Sequence, residues 1–387
     1  MSTSSSPTLL EDRFRALLRV LPAYYRQERE EEMVDTFLSD HEPLDEEAEL
    51  GRPRPREVAG VLVLAVRTRL AGPGAPARYV AYGRAARLVG LLGVALFAAS
   101  TAVNLLADAA LLLGGSAEDK HLVLDAFLGR SPDGSADALS TALALMVVVL
   151  PLGWIAAAIA LGTGHRRRAA AFCAVAALPT FVHLGRSAVE GFGPSVAQSA
   201  AVALVVLVLG SVAAAFHPGA PRAEISGLAG EWITAACVLV LLATAVTGRL
   251  ILGFDDGGHG WVFLVGGAAC LTLRARARRR PPEAPKSAGS PAVRTPRTHM
   301  AAHDPALPAA LAVLGLPVVV MCLDMVTYYT SISGFPVAGI ITGVARALAV
   351  ALLEAVLLVV AARALRREPR MRNSAPTAPA SATRPGA

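Results

Sequence analysis

The sequence predicts an all-α protein: a polytopic bundle of about eight membrane-spanning helices with a small helical module at its N-terminus. Its 387 residues are 54% hydrophobic, above the about 45–50% that is typical of soluble domains. The apolar residues form long blocks without charge, of which residues 139–162 are the clearest, and the arginines at 166–168 follow almost at once. About 20 apolar residues cross a bilayer, and clustered arginine stays on the cytoplasmic side. These patterns therefore predict spans with a defined direction.

Residues 9–72 predict a cytoplasmic helical module, preceded by a polar segment, residues 1–8, that we expect to be disordered. Apolar residues recur at spacings of three and four within residues 10–21 and again within 25–38, as they do on one face of a helix. Pro55 suits the first turn of a third helix. The module is therefore expected to contain three helices.

The charges of this module are polarised along the chain. Residues 26–50 hold eleven acidic residues and two arginines, whereas residues 51–87 hold eight arginines and one glutamate. We expect the basic third helix and the segment around Tyr79 and Tyr82 to lie against anionic lipid headgroups. The acidic helix should then face the cytosol or a basic protein partner. A solvated face with internal salt bridges is the alternative interpretation of the same charges.

Beyond residue 73 the chain predicts spans one to six within residues 73–273 and a hairpin of spans seven and eight within 305–365. A basic, proline-rich linker, residues 274–304, and a C-terminal tail, residues 366–387, are expected to be disordered. The eight predicted spans are residues 88–106, 139–162, 169–184, 196–216, 232–252, 260–273, 306–330 and 336–365.

The distribution of lysine and arginine predicts that both termini are cytoplasmic. An eight-span topology places 31 of the 36 Lys and Arg residues in inner segments, as the positive-inside rule requires. The first residues lack the apolar core of a signal peptide, so we expect the N-terminus to begin and stay inside. These features predict a multi-pass protein of the inner, or plasma, membrane. The competing topology has six spans, with the short third and sixth blocks re-entrant.

Three ionisable residues lie within spans seven and eight: Asp324, Arg346 and Glu354. A charged side chain costs about 2.5–3.5 kcal/mol at the centre of a bilayer, so we expect these residues to face other helices and not lipid. Our hypothesis is an Asp324–Arg346 pair in the outer half of the membrane, with Glu354 facing a cavity or a polar partner. A buried pair that fixes helix register and an ion or proton path are the two interpretations.

Span eight also carries a row of small residues at intervals of four: Gly339, Gly343, Ala347 and Ala351. Such a row lets a second helix approach closely. Packing against span seven or five is the expected use, and a homodimer seam is the alternative.

The sequence does not contain the usual patterns of catalytic or cofactor sites, since Walker A, GxGxxG, HExxH and GxSxG motifs do not occur. The four cysteines lie in apolar runs, and their spacing fits neither a disulfide framework nor a zinc site. The basic linker lacks the interleaved aromatic residues of a nucleic-acid site, and lipid headgroups explain its charge more simply. We therefore expect no enzymatic activity, no cofactor, no metal and no nucleic-acid partner.

The N-terminal residues resemble a known family module. Residues 10–26, LEDRFRALLRVLPAYYR, residues 30–38, EEEMVDTFL, and residues 66–70, VRTRL, are similar to the N-terminal HAAS or permease-prefix module of bacterial multi-pass membrane proteins. This resemblance covers about residues 9–70. It implies a cytoplasmic helical module joined to a membrane domain, often linked with PadR-type regulators or permeases, and it implies no particular reaction.

Two functions follow as hypotheses. The first is a non-enzymatic membrane protein whose cytoplasmic module, residues 9–72, binds a cytosolic protein or the membrane surface and takes part in signalling. The alternative is a small-solute or ion permease that uses Asp324, Arg346 and Glu354. A permease needs a polar cavity lined by these residues, whereas an exposed apolar groove on residues 10–70 would favour the interaction protein.

Overall fold

The computed structural model describes the chain in segments, and every regular element in them is an α-helix. The described residues are 9–40, 53–70, 72, 74–128, 130, 138–189, 191, 193, 195–216, 259–279, 306–332 and 337–373. Predicted span five, residues 232–252, lies outside them. The polar segment 1–8 and most of the predicted linker and tail also lie outside the described residues.

The N-terminal module consists of α1 (Leu9–Leu18), α2 (Ala23–Ser39) and α3 (Pro55–Arg69). Two prolines fix where helices begin: Pro22 is the N-cap of α2, and Pro55 is the first residue of α3. Proline suits these positions because the first N–H groups of a helix have no intrahelical acceptor. The aromatic rings of Phe14 and Phe37 stack at 3.9 Å between centroids and hold α1 against α2.

The rest of the described chain forms nine helices. They are α4 (Ala77–Gly114), α5 (Ala117–Leu128), α6 (Ala138–Val149), α7 (Leu152–Gly162), α8 (Arg166–Val189), α9 (Val196–Ala215), α10 (His259–Arg279), α11 (Ala306–Ser331) and α12 (Val337–Asn373). Pro151 interrupts the backbone between α6 and α7. α5 lies between predicted spans one and two, and α10 and α12 extend past the predicted ends of spans six and eight.

Six helical segments in the described part of the chain are long and apolar enough to cross a membrane, which marks the chain as a multi-pass membrane protein. They are Arg78–Gly114, Ser140–Gly162, Arg166–Val189, Val196–Ala215, Ala306–Ser331 and Val337–Ala364. They coincide with predicted spans one to four, seven and eight. Predicted span six corresponds to α10, which is not among the six; arginines occupy its C-terminal end.

The bundle has two packed clusters that share α11. In the first, Leu88 of α4, Trp154 of α7 and Val208 of α9 are buried together with the start of α11. In the second, α10, α11 and α12 enclose a core that includes Val318 and Val350. α11 therefore ties the two halves of the bundle together, since Ala306, Ala310 and Leu314 near its start belong to the first cluster, and Val318 and Cys322 further along belong to the second.

Candidate functional site

Two of the three predicted intramembrane residues are buried in the second cluster. Arg346 is 7% exposed and Glu354 is 4% exposed. The alkyl part of Arg346 lies beside Gly260 of α10 and Cys322 of α11, because a Cβ added at Gly260 would come within 3.4 Å of Arg346 Cδ and 2.9 Å of Cys322 Sγ. Gly260 therefore provides the space through which the arginine crosses between the helices.

Glu354 occupies a second gap, made by Gly315 of α11. A Cβ at Gly315 would collide with Oε2 of Glu354 and with the ring of Phe263, a residue of α10. Neither carboxylate oxygen of Glu354 has a hydrogen-bond partner among the described residues. By helical rise Glu354 lies about 15 Å from Ala364, where the span ends. A buried carboxyl group without a partner at this depth is costly, which makes it a candidate functional group.

Asp324 lies apart from this arrangement. It is half-buried on α11, and its backbone carbonyl accepts a hydrogen bond from the Thr327 hydroxyl. The ion pairs among the described residues do not include one between Asp324 and Arg346. Direct pairing of these two residues stays a prediction.

The row of small residues on α12 faces α11 at its centre. A Cβ at Gly343 would meet the ring of Tyr329 at 3.4 Å and the side chain of Val326 at 3.8 Å, both on α11. Ala347 is buried in the second cluster, and Gly339 and Ala351 are half-buried. In this arrangement Gly343 and Ala347 lie at the contact between α12 and α11.

A groove on the N-terminal module is the second candidate site. It has a volume of about 350 Å³ and lies between α2 and α3, with α1 beneath it. Its apolar lining residues are Phe14, Tyr25, Met33, Phe37, Val61 and Leu64. Arg29, Glu32 and Glu57 form its charged rim, where Arg29 pairs with Glu32 at 3.7 Å.

Gly60 gives this groove its open side. It lies among the lining residues of α3, and a Cβ built on it would meet no atom within 4 Å. The periodicity that predicted α3 could not reveal the groove, because the groove depends on how three helices are spaced. A glycine within a helix that is otherwise regular was the sequence feature that could have indicated it.

The module is braced internally by Arg15. Its guanidinium donates to Glu11, at 2.9 Å, and to both carboxylate oxygens of Glu31, each at 2.9 Å. The hydrogen bonds from Arg15 hold the pKa of Glu31 below its usual value. α1 and α2 are therefore joined by charge as well as by the stacked phenylalanines.

Tyrosines connect the module to the start of α4. The Tyr24 hydroxyl donates to the carbonyl of Thr68 at 2.7 Å, and its ring lies 5.4 Å from that of Tyr79. Tyr82 continues this contact, 6.2 Å from Tyr79. Burial, with smaller effects from neighbouring charges, raises the pKa of Tyr24. The hydroxyl therefore stays protonated at neutral pH and can donate this hydrogen bond.

The described segments also bear on metal binding and disulfides. They contain no group of three or more His, Cys, Asp or Glu residues arranged to hold a metal ion. Cys173, Cys270 and Cys322 are buried and free of disulfides, and Cys237 lies outside the described residues. Comparison with protein-family models, with curated proteins and with solved structures finds no match to this chain.

Proposed function

We propose that this chain is a multi-pass protein of the bacterial inner membrane without enzymatic activity, whose N-terminal module binds a protein partner in the cytosol. The observation that carries the proposal is the apolar groove between α2 and α3. Phe14 and Phe37 are buried beneath this groove, whereas Tyr25, Met33 and Leu64 are half-buried along it and leave part of their apolar surface accessible. An accessible apolar channel with a charged rim is the arrangement that recognises an amphipathic helix.

The partner's chemistry follows from the groove's rim. Its apolar floor would bind leucine-like side chains at helical spacing. Its volume of about 350 Å³ is at the small end of the range for ligand pockets, about 300–1,000 Å³. The exposed face of α2 carries Glu28, Glu31 and Glu32. A partner helix with a basic flank would therefore be favoured by charge complementarity.

The orientation of the protein is part of this proposal. Arginine counting supports an even number of crossings, with spans five and six completing eight, and places the module in the cytosol. The resemblance of residues 9–70 to a HAAS or permease-prefix module supports the same placement. The exposed apolar side chains of α3, Leu62, Val63 and Val66, are suited to touch the anionic inner surface of the bilayer.

Photo-crosslinking in intact cells tests the groove directly. A photoreactive side chain at Met33, in the groove wall, should form a discrete adduct with another protein. Gly60→Trp should abolish that adduct, because the indole would fill the open side of the groove. Ala59→Trp is the matched control, since Ala59 is the neighbouring exposed residue of α3 and does not line the groove.

The control variant should keep the adduct, and both tryptophan variants should reach the membrane in equal amounts. An adduct that persists in Gly60→Trp would show that the partner does not use the groove. Adducts formed with phospholipid alone would replace the protein partner with the membrane surface. Either result would refute the proposal.

A second function is favoured by one observation, the unpaired carboxyl group of Glu354. We propose as the alternative that Glu354 carries protons or cations through the second cluster. Reconstituted vesicles containing a pH-sensitive dye should then show a proton flux that is driven by a membrane potential. Glu354→Gln should lose this flux and Asp324→Asn should keep it; equal fluxes in both variants would exclude the role of Glu354.

A further inference from the structure

Arg87 of α4 is the most deeply buried arginine in the described part of the chain, with 3% of its surface exposed. Its Nε donates to the carbonyl of Ala215, the last residue of α9, at 2.9 Å. This bond satisfies one of the carbonyls that the end of a helix leaves without an intrahelical donor. The remaining guanidinium nitrogens, Nη1 and Nη2, are buried and have no hydrogen-bond partner.

Two further arginines act on the Arg87 guanidinium. The described charged groups that act on it are Arg84, one turn earlier on α4, and Arg166, the first residue of α8. The turn between α7 and α8 holds Arg166 in place, because Gly164 adopts a φ of 81° and the His165 N–H bonds to the carbonyl of Ala160 at 2.7 Å. The N-terminal turn of α8 adds the positive end of a helix dipole.

The two terminal nitrogens of Arg87 lack an acceptor in this arrangement of the described residues. A buried guanidinium with two unsatisfied donor groups is unfavourable, and the two neighbouring arginines add repulsion. Arg87 is buried, Arg84 is half-buried and Arg166 is exposed. A fork of two N–H donors matches the oxygens of a phosphate group, and arginine clusters between helices at the inner face of a membrane bind lipid headgroups.

We propose that Arg87, with Arg84 and Arg166 at its rim, forms a binding site for a phosphate group at the end of the bundle where α9 ends and α8 begins. The group comes from an anionic phospholipid headgroup or from free phosphate. Its oxygens accept from Nη1 and Nη2 of Arg87. This site is independent of the groove on the module and of Glu354.

Thermal melting of the full chain in neutral detergent tests the site with defined probes. The probes are dioleoyl phosphatidylglycerol, dioleoylglycerol with the same acyl chains and no phosphate, and inorganic phosphate, all at matched ionic strength. Phosphatidylglycerol should raise the melting temperature and dioleoylglycerol should not. A response to phosphatidylglycerol alone identifies the lipid headgroup as the ligand, and an equal response to inorganic phosphate identifies the free anion.

Arg87→Met should weaken the apparent affinity by about tenfold or more, the loss expected for charge-assisted hydrogen bonds. Arg167→Met is the matched control, because Arg167 is an exposed arginine in the same turn as Arg166, and it should leave the affinity nearly unchanged. Native affinity in Arg87→Met, or no response of the native chain to either phosphate-containing probe, would overturn the proposal. Arg87 would then serve only to cap α9.

Arg166→Met provides a second measurement that does not disturb a buried position. It should weaken the affinity by about threefold, as expected for a charge at the rim, and more than Arg167→Met does. Equal affinities in these two variants would also overturn the proposal, even where Arg87→Met fails to fold.

Discussion

The N-terminal module and the membrane bundle are both built from helices, yet they place their large apolar side chains in opposite positions. In the core of the module, Phe14 is 4% exposed and Leu18 is fully buried, while the exposed face of α2 is mostly charged. In the bundle, Leu348 is 65% exposed and Leu352 is 69% exposed. In the module, the hydrophobic effect drives apolar groups out of water and into the core. The exposed apolar side chains of the bundle are suited to lipid, where this driving force is absent.

The interiors differ in the same way. The module core contains large side chains, including a stacked pair of phenylalanines. The first cluster of the bundle also contains large side chains, among them Trp154, but it includes several small residues, such as Ala157, Cys173 and Ala177, which let helices approach closely. Where hydrophobic burial supplies no driving force between helices, fit between surfaces has to hold them together.

Removing a leucine side chain should have the largest effect and should separate the two regions. Leu18→Ala should lower the free energy of unfolding of the module by about 2–5 kcal/mol, because it leaves a cavity in the core. Leu348→Ala should change the stability of the bundle little, because this side chain faces outward. Hydrogen exchange of the full chain in lipid nanodiscs would measure both.

Leu9→Ala is the control within the module, since Leu9 is 49% exposed on the same helix as Leu18. It should stay within about 0.5 kcal/mol of the native chain. A large loss in Leu348→Ala would mean that α12 is covered by protein, for example by a second copy of the chain, and not by lipid.

Adding one methyl group should have opposite signs in the two regions. Gly60→Ala should stabilise the module by about 0.5–1 kcal/mol, because alanine is the better helix former and the position is open. Gly93→Ala should destabilise the bundle by about 1–3 kcal/mol, because a Cβ there collides with the side chain of Val208 on α9.

Chemical denaturation followed by module-specific and bundle-specific probes would measure the two glycine variants. If both substitutions stabilise the regions in which they lie, the predicted difference between module and bundle is wrong. That result would show that α4 and α9 can separate enough to accept the methyl group.

How much of the structure the sequence predicts depends on how far apart along the chain the interacting residues lie. The spacing from Leu10 to Leu18 and the proline at 55 are local, and they were enough to place α1 and α3. Long apolar blocks likewise predicted the six helices that can cross a membrane. The sequence could not show that Gly315 and Phe263 meet Glu354, because that contact joins three helices that are far apart along the chain.

One difference from expectation has a local cause. α5 lies between predicted spans one and two, where no helix was predicted, although Ser116 precedes it in the sequence, Glu118 and Asp119 lie in its first turn and Gly129 follows it, as at the ends of a helix. Direct pairing of Asp324 and Arg346 remains a prediction, which rests on a short turn that makes their helices neighbours. Being neighbours does not fix rotation about each helix axis, and rotation decides which side chains meet.

Replacing the buried carboxyl group of Glu354 tests whether that group stabilises the folded bundle. Glu354→Met should raise the free energy of unfolding in detergent by about 1–3 kcal/mol, because it removes an acceptor group that has no partner. Asp324→Met, at a half-buried position, should have a smaller effect. If Glu354→Met instead destabilises the bundle, the carboxyl group has a partner in the folded protein.

The smallest predicted effect is a loss of module stability in acid, caused by protonation of Glu31. Because Arg15 lowers the folded-state pKa of Glu31 below its ordinary value of 4.5, the stabilisation is fully present above pH 4.5. It is lost as the pH falls through the lowered folded-state value. In Glu31→Gln this part of the acid dependence should vanish, so that native and variant modules converge in stability at low pH and differ at neutral pH.

The control is Glu32→Gln. Glu32 pairs with Arg29 on the exposed face of α2, and this substitution should leave the native acid dependence in place. Parallel stability curves for the native chain and Glu31→Gln would show that the bidentate contact does not persist in water. The link between α1 and α2 would then depend on apolar packing, which includes the stacked phenylalanines.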